Sequence, residues 1–177
     1  MRFCLLLLAA ACGAPTKPAA VPHRTGAVDD FSYFEGGWAT KQRRRTGGIW
    51  DEFPGTLCAK PYMGTMITVD ELVFPTKGWA GLTLRTFDLK TKQWSIYWIS
   101  SKTGVMGTPV VGGFDGPIGE FFGNEDGAIV RYRWSKIDSD HARWEQATSP
   151  DGREWDTNWT ADFSRASGVC ENGRPKS

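Results

Sequence analysis

Phe34-Glu35-Gly36-Gly37-Trp38 is the stretch whose reading decides the fold. Upstream of it the chain is rich in Pro, Ala, Thr and Lys and shows no apolar periodicity. Downstream, short runs of alternating apolar and polar residues are broken by turn residues at fairly even intervals, the pattern of an up-and-down barrel or sandwich. A Trp one turn into the first strand can close one end of a barrel. Trp159 and Arg165 near the end of the chain place a cation where it can stack on that Trp from the last strand. Trp38 and Arg165 are therefore the expected closure.

Working outward, strands are expected over 38–45, 49–59, 65–74, 79–87 and 93–100, then over 108–114, 118–122, 128–136, 141–148 and 153–164. Pro54-Gly55 interrupts the second and predicts a bulge or bend. Thr46-Gly47-Gly48, Asp115-Gly116, Asn124-Glu125-Asp126-Gly127 and Ser149-Pro150-Asp151-Gly152 are turn signals. No segment has a helical period. Short connections favour neighbouring antiparallel pairs. The expected fold is all-β: a single antiparallel up-and-down β-barrel of about 8–10 strands.

The chain has 177 residues, enough for one domain plus a leader. Lys+Arg number 21 against Asp+Glu 20, for a net charge of +1. That balance gives no electrostatic reason to expect nucleic acid as a partner. Nine Trp and 21 Gly lean the composition towards pleated surfaces and tight turns.

The start reads as an export signal. Met1-Arg2-Phe3 is cationic and the run from Cys4 to Ala11 is apolar, too short to span a bilayer, which needs roughly 20 residues. Leu8-Ala9-Ala10-Ala11-Cys12-Gly13 resembles a bacterial lipobox, in which the Cys thiol takes a diacylglycerol and becomes the mature N-terminus. Lipidation at Cys12 would hold the domain on a membrane with nothing crossing it; cleavage at Ala11 or Ala14 is the alternative. The division expected is 1–12 signal and lipobox, 13–30 disordered tether, 31–168 barrel and 169–177 C-terminal tail. The protein is then exported to the periplasm or cell envelope. There a disulfide persists, and Cys58 with Cys170 would pin the tail to an early strand; the alternative is a buried thiol and a free one. No Cys-x-x-Cys or Cys/His cluster suggests a metal, and no cofactor is expected. A haem barrel would need an axial ligand, and of the two His only His141 belongs to the domain.

Alternation in the late strands sets Val130, Tyr132 and Trp134 on one face against Arg131 and Arg133 on the other, and Trp144 and Gln146 against Arg143 and Glu145. Either the aromatics fill the core, or the arginines line a cavity for an anion. Trp94-Ser95-Ile96-Tyr97-Trp98 is apolar on both faces, so it is covered outside or lines a pocket inside.

Gly36-Gly37-Trp38 resembles the Gly-x-Trp entry of lipocalin-type (calycin) barrels, and Arg165 matches the cation that stacks on that Trp. Leu84-Arg85-Thr86-Phe87-Asp88, Trp94-Ser95-Ile96-Tyr97-Trp98 and Glu145-Gln146-Ala147-Thr148-Ser149-Pro150-Asp151-Gly152 with Trp155 are similar to a bacterial lipocalin-like family without an assigned function. The resemblance spans most of 31–165 and implies a barrel with an internal cavity. It carries over no catalytic residue.

The expected function is non-catalytic binding of a small apolar or amphipathic ligand by an exported, tethered barrel. The expected lining draws on Arg85, Trp98, Arg131, Tyr132 and Gln146, with an interior Arg gripping a carboxylate bidentately. Two alternatives stand beside it. One is a structural or envelope-interaction protein with a filled core. The other is an enzyme using buried carboxylates, for which Glu52, Asp88, Glu120 and Glu145 are the candidates.

Overall fold

The computed structural model describes residues 20–125 and 127–176. The expected signal with Cys12, and residues 13–19 of the expected tether, lie outside the described residues. The chain forms ten long antiparallel strands: β1 (Gly36–Thr46), β2 (Ile49–Tyr62), β3 (Ile67–Phe74), β4 (Trp79–Asp88), β5 (Gln93–Ser100), β6 (Val110–Asp115), β7 (Ile118–Glu125), β8 (Ala128–Lys136), β9 (His141–Ser149) and β10 (Asp156–Arg165). Each pairs with the next in sequence, and β10 pairs with β1, closing the barrel. Closure gives every one of the ten strands a partner on each side over part of its length.

The alternation that predicts the strands is the alternation of burial. In β3 every second residue is buried, Thr68, Asp70, Leu72 and Phe74 pointing in. β4 does the same with Gly81, Thr83, Arg85 and Phe87. The β1–β2 hairpin turns on Gly47 and Gly48, both in the left-handed region, which side chains with a Cβ disfavour.

Pro54-Gly55 does not break β2. Lys41 faces Pro54 and Thr40 faces Gly55 in unbroken register, and pairing with β3 begins only at Thr56. A single paired edge tolerates Pro there. Gly55 is small for a different reason: a Cβ would sit 2.6 Å from Thr40 Oγ1. The one register shift in the wall falls instead between Thr157 and Trp159 of β10.

One end of the barrel is plugged. A 3-10 turn over Ser32–Phe34 drives Phe31 and Phe34 inward, where Phe31 meets Trp94 and Phe114 edge-on, both at 5.1 Å, and Phe34 stacks on Trp38 at 5.1 Å. Full burial of such a ring stabilises by roughly 1.5–3 kcal/mol. The chain leading to the plug is laid against the barrel rather than free. Gly26 N–H donates to the Lys92 carbonyl (2.8 Å), Trp94 Nε1 donates to the Ala27 carbonyl (3.0 Å), and Arg24 pairs with Glu120 (2.8 Å). Of the stretch that composition assigns to the tether, residues 24–30 thus belong to the packed structure.

The tail is held as well. Cys58 and Cys170 are disulfide-bonded, and the short strands β11 (Cys170–Glu171) and β12 (Arg174–Pro175) pair with each other. Arg174 then grips Glu71 of β3 through two hydrogen bonds of 2.8 and 3.1 Å.

Candidate functional site

The half of the barrel away from the plug is hollow. A cavity of about 130 Å³ lies among Leu57, Leu72, Ile96, Trp98, Trp144 and Trp159, with Phe163 and Ala161 deeper in. Its walls follow from the inward phase of each strand. The Trp98 indole lies over Gly81, its diagonal neighbour on the adjacent strand β4, because Gly81 has no side chain: a Cβ there would stand 1.9 Å from the indole. The Trp98 ring meets Trp159 edge-on at 6.1 Å, and Trp159 meets Trp144 the same way at 5.5 Å.

Against this apolar wall stands a polar floor. Arg85 and Asp70 are each 1% exposed and form an ion pair in direct hydrogen-bonded contact. They meet diagonally, since Asp70 faces Thr83 across the ladder and Arg85 faces Thr68. Above the plug the guanidinium sits within 4.8 Å of the Phe31 ring centre and 5.3 Å of those of Phe34 and Trp134, a setting that favours a cation. Burial pushes the Asp70 carboxyl above its ordinary value, and the Arg85 charge opposes the rise. Losing either charge would leave the other buried alone, at a cost of about 3–5 kcal/mol.

The pair does not use all its hydrogen-bonding capacity. Asp70 Oδ1, Arg85 Nε and Trp134 Nε1 are buried without a protein partner, and all three residues line the cavity. Buried polar atoms without partners are uncommon in folded proteins. The side wall is satisfied by contrast: Trp159 Nε1 donates to Gln42 Oε1 (2.8 Å), Gln42 Nε2 to Thr40 Oγ1 (2.9 Å), and Gln146 Nε2 to Asn158 Oδ1 (3.1 Å).

The rim carries Arg44 and Glu125, of opposite charge. The Arg44 guanidinium stacks 4.4 Å over Trp159 and 5.8 Å from Trp79. Desolvation lowers its affinity for its proton, and Glu125 counters this. Tyr132 packs edge-on against Trp144 at 5.0 Å, and burial raises its phenol above the ordinary value.

Four of the five lining residues expected from sequence, Arg85, Trp98, Tyr132 and Gln146, come together here. Arg131 does not. It adjoins Tyr132 in an extended strand and so points outward, where its guanidinium stacks 4.6 Å over Trp155. Arg85 is not free to clasp an anion, because Asp70 already holds it. Asp70, Gln42 and Arg44 were absent from the sequence expectation; for Asp70 the available signal is its phase, shared with Leu72 and Phe74.

The candidate acids and bases are not gathered. Glu52 pairs with Lys41 and Arg43 on the surface, and Asp88 caps the β4–β5 turn. Glu120 and Glu145 flank Arg133 on the outer face. His141 is exposed beside Asp138 at 2.9 Å and is not among the residues lining the cavity. Among the described residues no three His, Cys, Asp or Glu side chains cluster as metal ligands, and no helix is long and apolar enough to cross a membrane.

No family model and no curated protein matches the chain. Among the solved structures similar to it are two. One is Rv2717c from M. tuberculosis, 14% identical over 80% of this chain and 99% of its own, with a TM-score of 0.52. The other is a redesigned β-barrel, 10% identical over 81% of this chain and 100% of its own, with a TM-score of 0.47. The likeness to the M. tuberculosis structure is one of fold. It agrees with the ten-stranded antiparallel barrel, and the site must be argued from its own residues.

Proposed function

We propose that this protein is an exported, lipid-tethered, lipocalin-like barrel that binds a small amphipathic molecule without catalysis. The observation that carries the reading is the floor of the cavity. A core built merely to be filled is packed with apolar side chains, and polar groups inside it are satisfied. Here Arg85, Asp70 and the amide side chains of Gln42 and Gln146 line a space walled by indoles that no side chain fills. An apolar enclosure with a few placed polar groups is the usual form of a ligand pocket. The volume suits about one aromatic ring, and the charged rim leaves room for a larger molecule to protrude.

The disulfide supports export, since such bonds persist in oxidising compartments. The lipobox-like run ending at Cys12 supports the tether.

Native mass spectrometry of the mature full-length chain, purified gently from its host's envelope, tests the binding. A reproducible adduct that vanishes on denaturation is expected. A bare chain mass, with no change in melting temperature across a metabolite panel, would overturn the reading. Incorporation of labelled palmitate that disappears in Cys12→Ser tests the anchor separately.

A further inference from the structure

We infer that the mouth of the cavity takes the carboxylate of an amphipathic acid, gripped by Arg44, with the apolar part of the acid directed inward against the indoles. The inference rests on the ligand-binding reading above and names the chemistry of that same site.

Arg43, Arg44 and Arg45 lie near the end of β1, and the alternation of the strand sorts them. Trp38, Thr40 and Gln42 point inward, and Arg44 continues that phase to line the cavity. Arg43 and Arg45 take the other phase. There Arg43 pairs with Glu52 (3.6 Å) and Arg45 with Asp156, and both lie over Trp50. Arg44 has no such partner. Among the described residues nothing hydrogen-bonds its guanidinium and no carboxylate pairs with it. Its nitrogens keep accessible surface, unlike the unpartnered atoms at the floor. The group is held 4.4 Å over Trp159, itself part of the cavity wall. A side chain already held in place loses less freedom on binding.

Charge then selects the head group. Arg85 is neutralised by Asp70 in direct contact. The remaining charged residues that line the cavity are Arg44 and Glu125. Glu125 is exposed at the end of β7, where water screens it, whereas Arg44 is half-buried. Tyr132 adds no second anion, because burial keeps its phenol protonated. The mouth therefore offers one cation with open donors. A carboxylate meets the guanidinium fork with two parallel N–H···O bonds and cancels its charge. A neutral amide accepts from the donors but leaves the charge, and an ammonium is repelled. An acid entering head first would carry its charge towards Asp70, so the head stays at the mouth and the apolar end goes in.

The test uses the mature full-length chain at neutral pH and three probes of one ring each: phenylacetate, phenylacetamide and phenethylamine. Binding is followed by chemical-shift perturbation of the Trp indole N–H signals. Phenylacetate is expected to bind about fivefold or more tighter than the amide, and the amine weakest. In Arg44→Gln the ratio of carboxylate to amide affinity should fall to about one, and Arg44→Lys, which keeps the charge without the fork, should lie between. Glu125→Gln removes the opposing charge and should raise that ratio about twofold. If the amide or the amine binds wild type tightest, the inference falls while the binding reading stands. If phenylacetate binds tightest but Arg44→Gln keeps the preference, Arg44 is not its anchor and the inference falls in the same way. If no probe shifts any signal at millimolar concentration, the adduct in the native mass spectrum decides. An acid released from it supports the inference, a neutral or cationic molecule overturns it, and a bare chain takes both readings down together. Should Arg44→Gln fail to fold, as its melting curve would show, the other two variants decide: the preference must fall in Arg44→Lys and rise in Glu125→Gln.

Discussion

The Arg165 guanidinium sits 3.8 Å above the centre of the Trp38 ring, and the two residues are direct partners across the β1–β10 seam. Arg165 also donates to the carbonyls of Tyr33 (2.6 Å) and Glu35, while Trp38 Nε1 donates to the Phe34 carbonyl (2.9 Å). One cation therefore fastens the last strand to the first and both to the plug. Arg165→Ala should cost about 1–2 kcal/mol, a fall in Tm of roughly 2–8 °C for a chain of this length. Arg165→Lys should recover the stacking but not the paired hydrogen bonds. Thermal melts of the two variants would show the order wild type, Lys, Ala; equal melts for all three would refute the fastening role.

The disulfide spans 112 residues. In the chain-entropy model, closing so long a loop stabilises by about 4–5 kcal/mol. A Cys58→Ala, Cys170→Ala double variant should unfold at a clearly lower denaturant midpoint. The residues of β11 and β12 should lose amide protection first, since their other anchor is the exposed pair of Arg174 with Glu71. A midpoint that does not move would contradict this.

Gly81 makes room for Trp98. Gly81→Ala places a methyl inside the indole's position, and overpacking of this kind typically costs about 1–3 kcal/mol. The barrel should still fold, but with Trp98 displaced and the cavity's affinity for a one-ring apolar probe such as toluene reduced at least tenfold. Intrinsic fluorescence and a toluene titration followed through the Trp indole N–H chemical shifts would report both effects. Unchanged binding would mean that Trp98 is not part of the wall a ligand meets.

Tyr132 gives a pH dependence. Burial, with help from Glu125, raises its phenol above the ordinary value, and Arg44 opposes. A proton held more tightly folded than unfolded stabilises the fold below the unfolded value of about 10, and that contribution is lost as pH rises beyond it. In alkaline titration, the tyrosinate absorbance that wild type shows and Tyr132→Phe lacks should emerge only with the unfolding transition. Its appearance in folded protein near pH 10 would count against a buried phenol.

The barrel was legible because period-two patterning and turn chemistry are local signals. The strands of 93–100 and 128–136 appear at those bounds, and Trp38 and Arg165 meet. The site was less legible, for two reasons. Arg131 and Tyr132 are sequence neighbours, so one strand cannot aim both inward; the expectation mixed two faces. Asp70 sits between Val69 and Glu71 in a strand with apolar residues in both phases, so its inward direction depends on which phase the core takes. The partner Arg85 is 15 positions away and meets it on a diagonal, a relationship that no local pattern encodes.

The wall is not sealed evenly. β5 and β6 pair only from Trp94↔Gly112 to Ile96↔Val110, after which β5 runs on to Ser100 while the chain from 101 to 109 travels outside the ladder, tied back by Gly107 N–H to the Trp98 carbonyl. Ile96 and Trp98, which border this seam, also line the cavity. Local opening follows the weakest hydrogen-bonded joint, so this is where the wall would part first. Under the proposed binding role, affinity and residence time would then belong to different parts of the molecule: the cavity wall would set how well a guest is held, and the seam how soon it leaves.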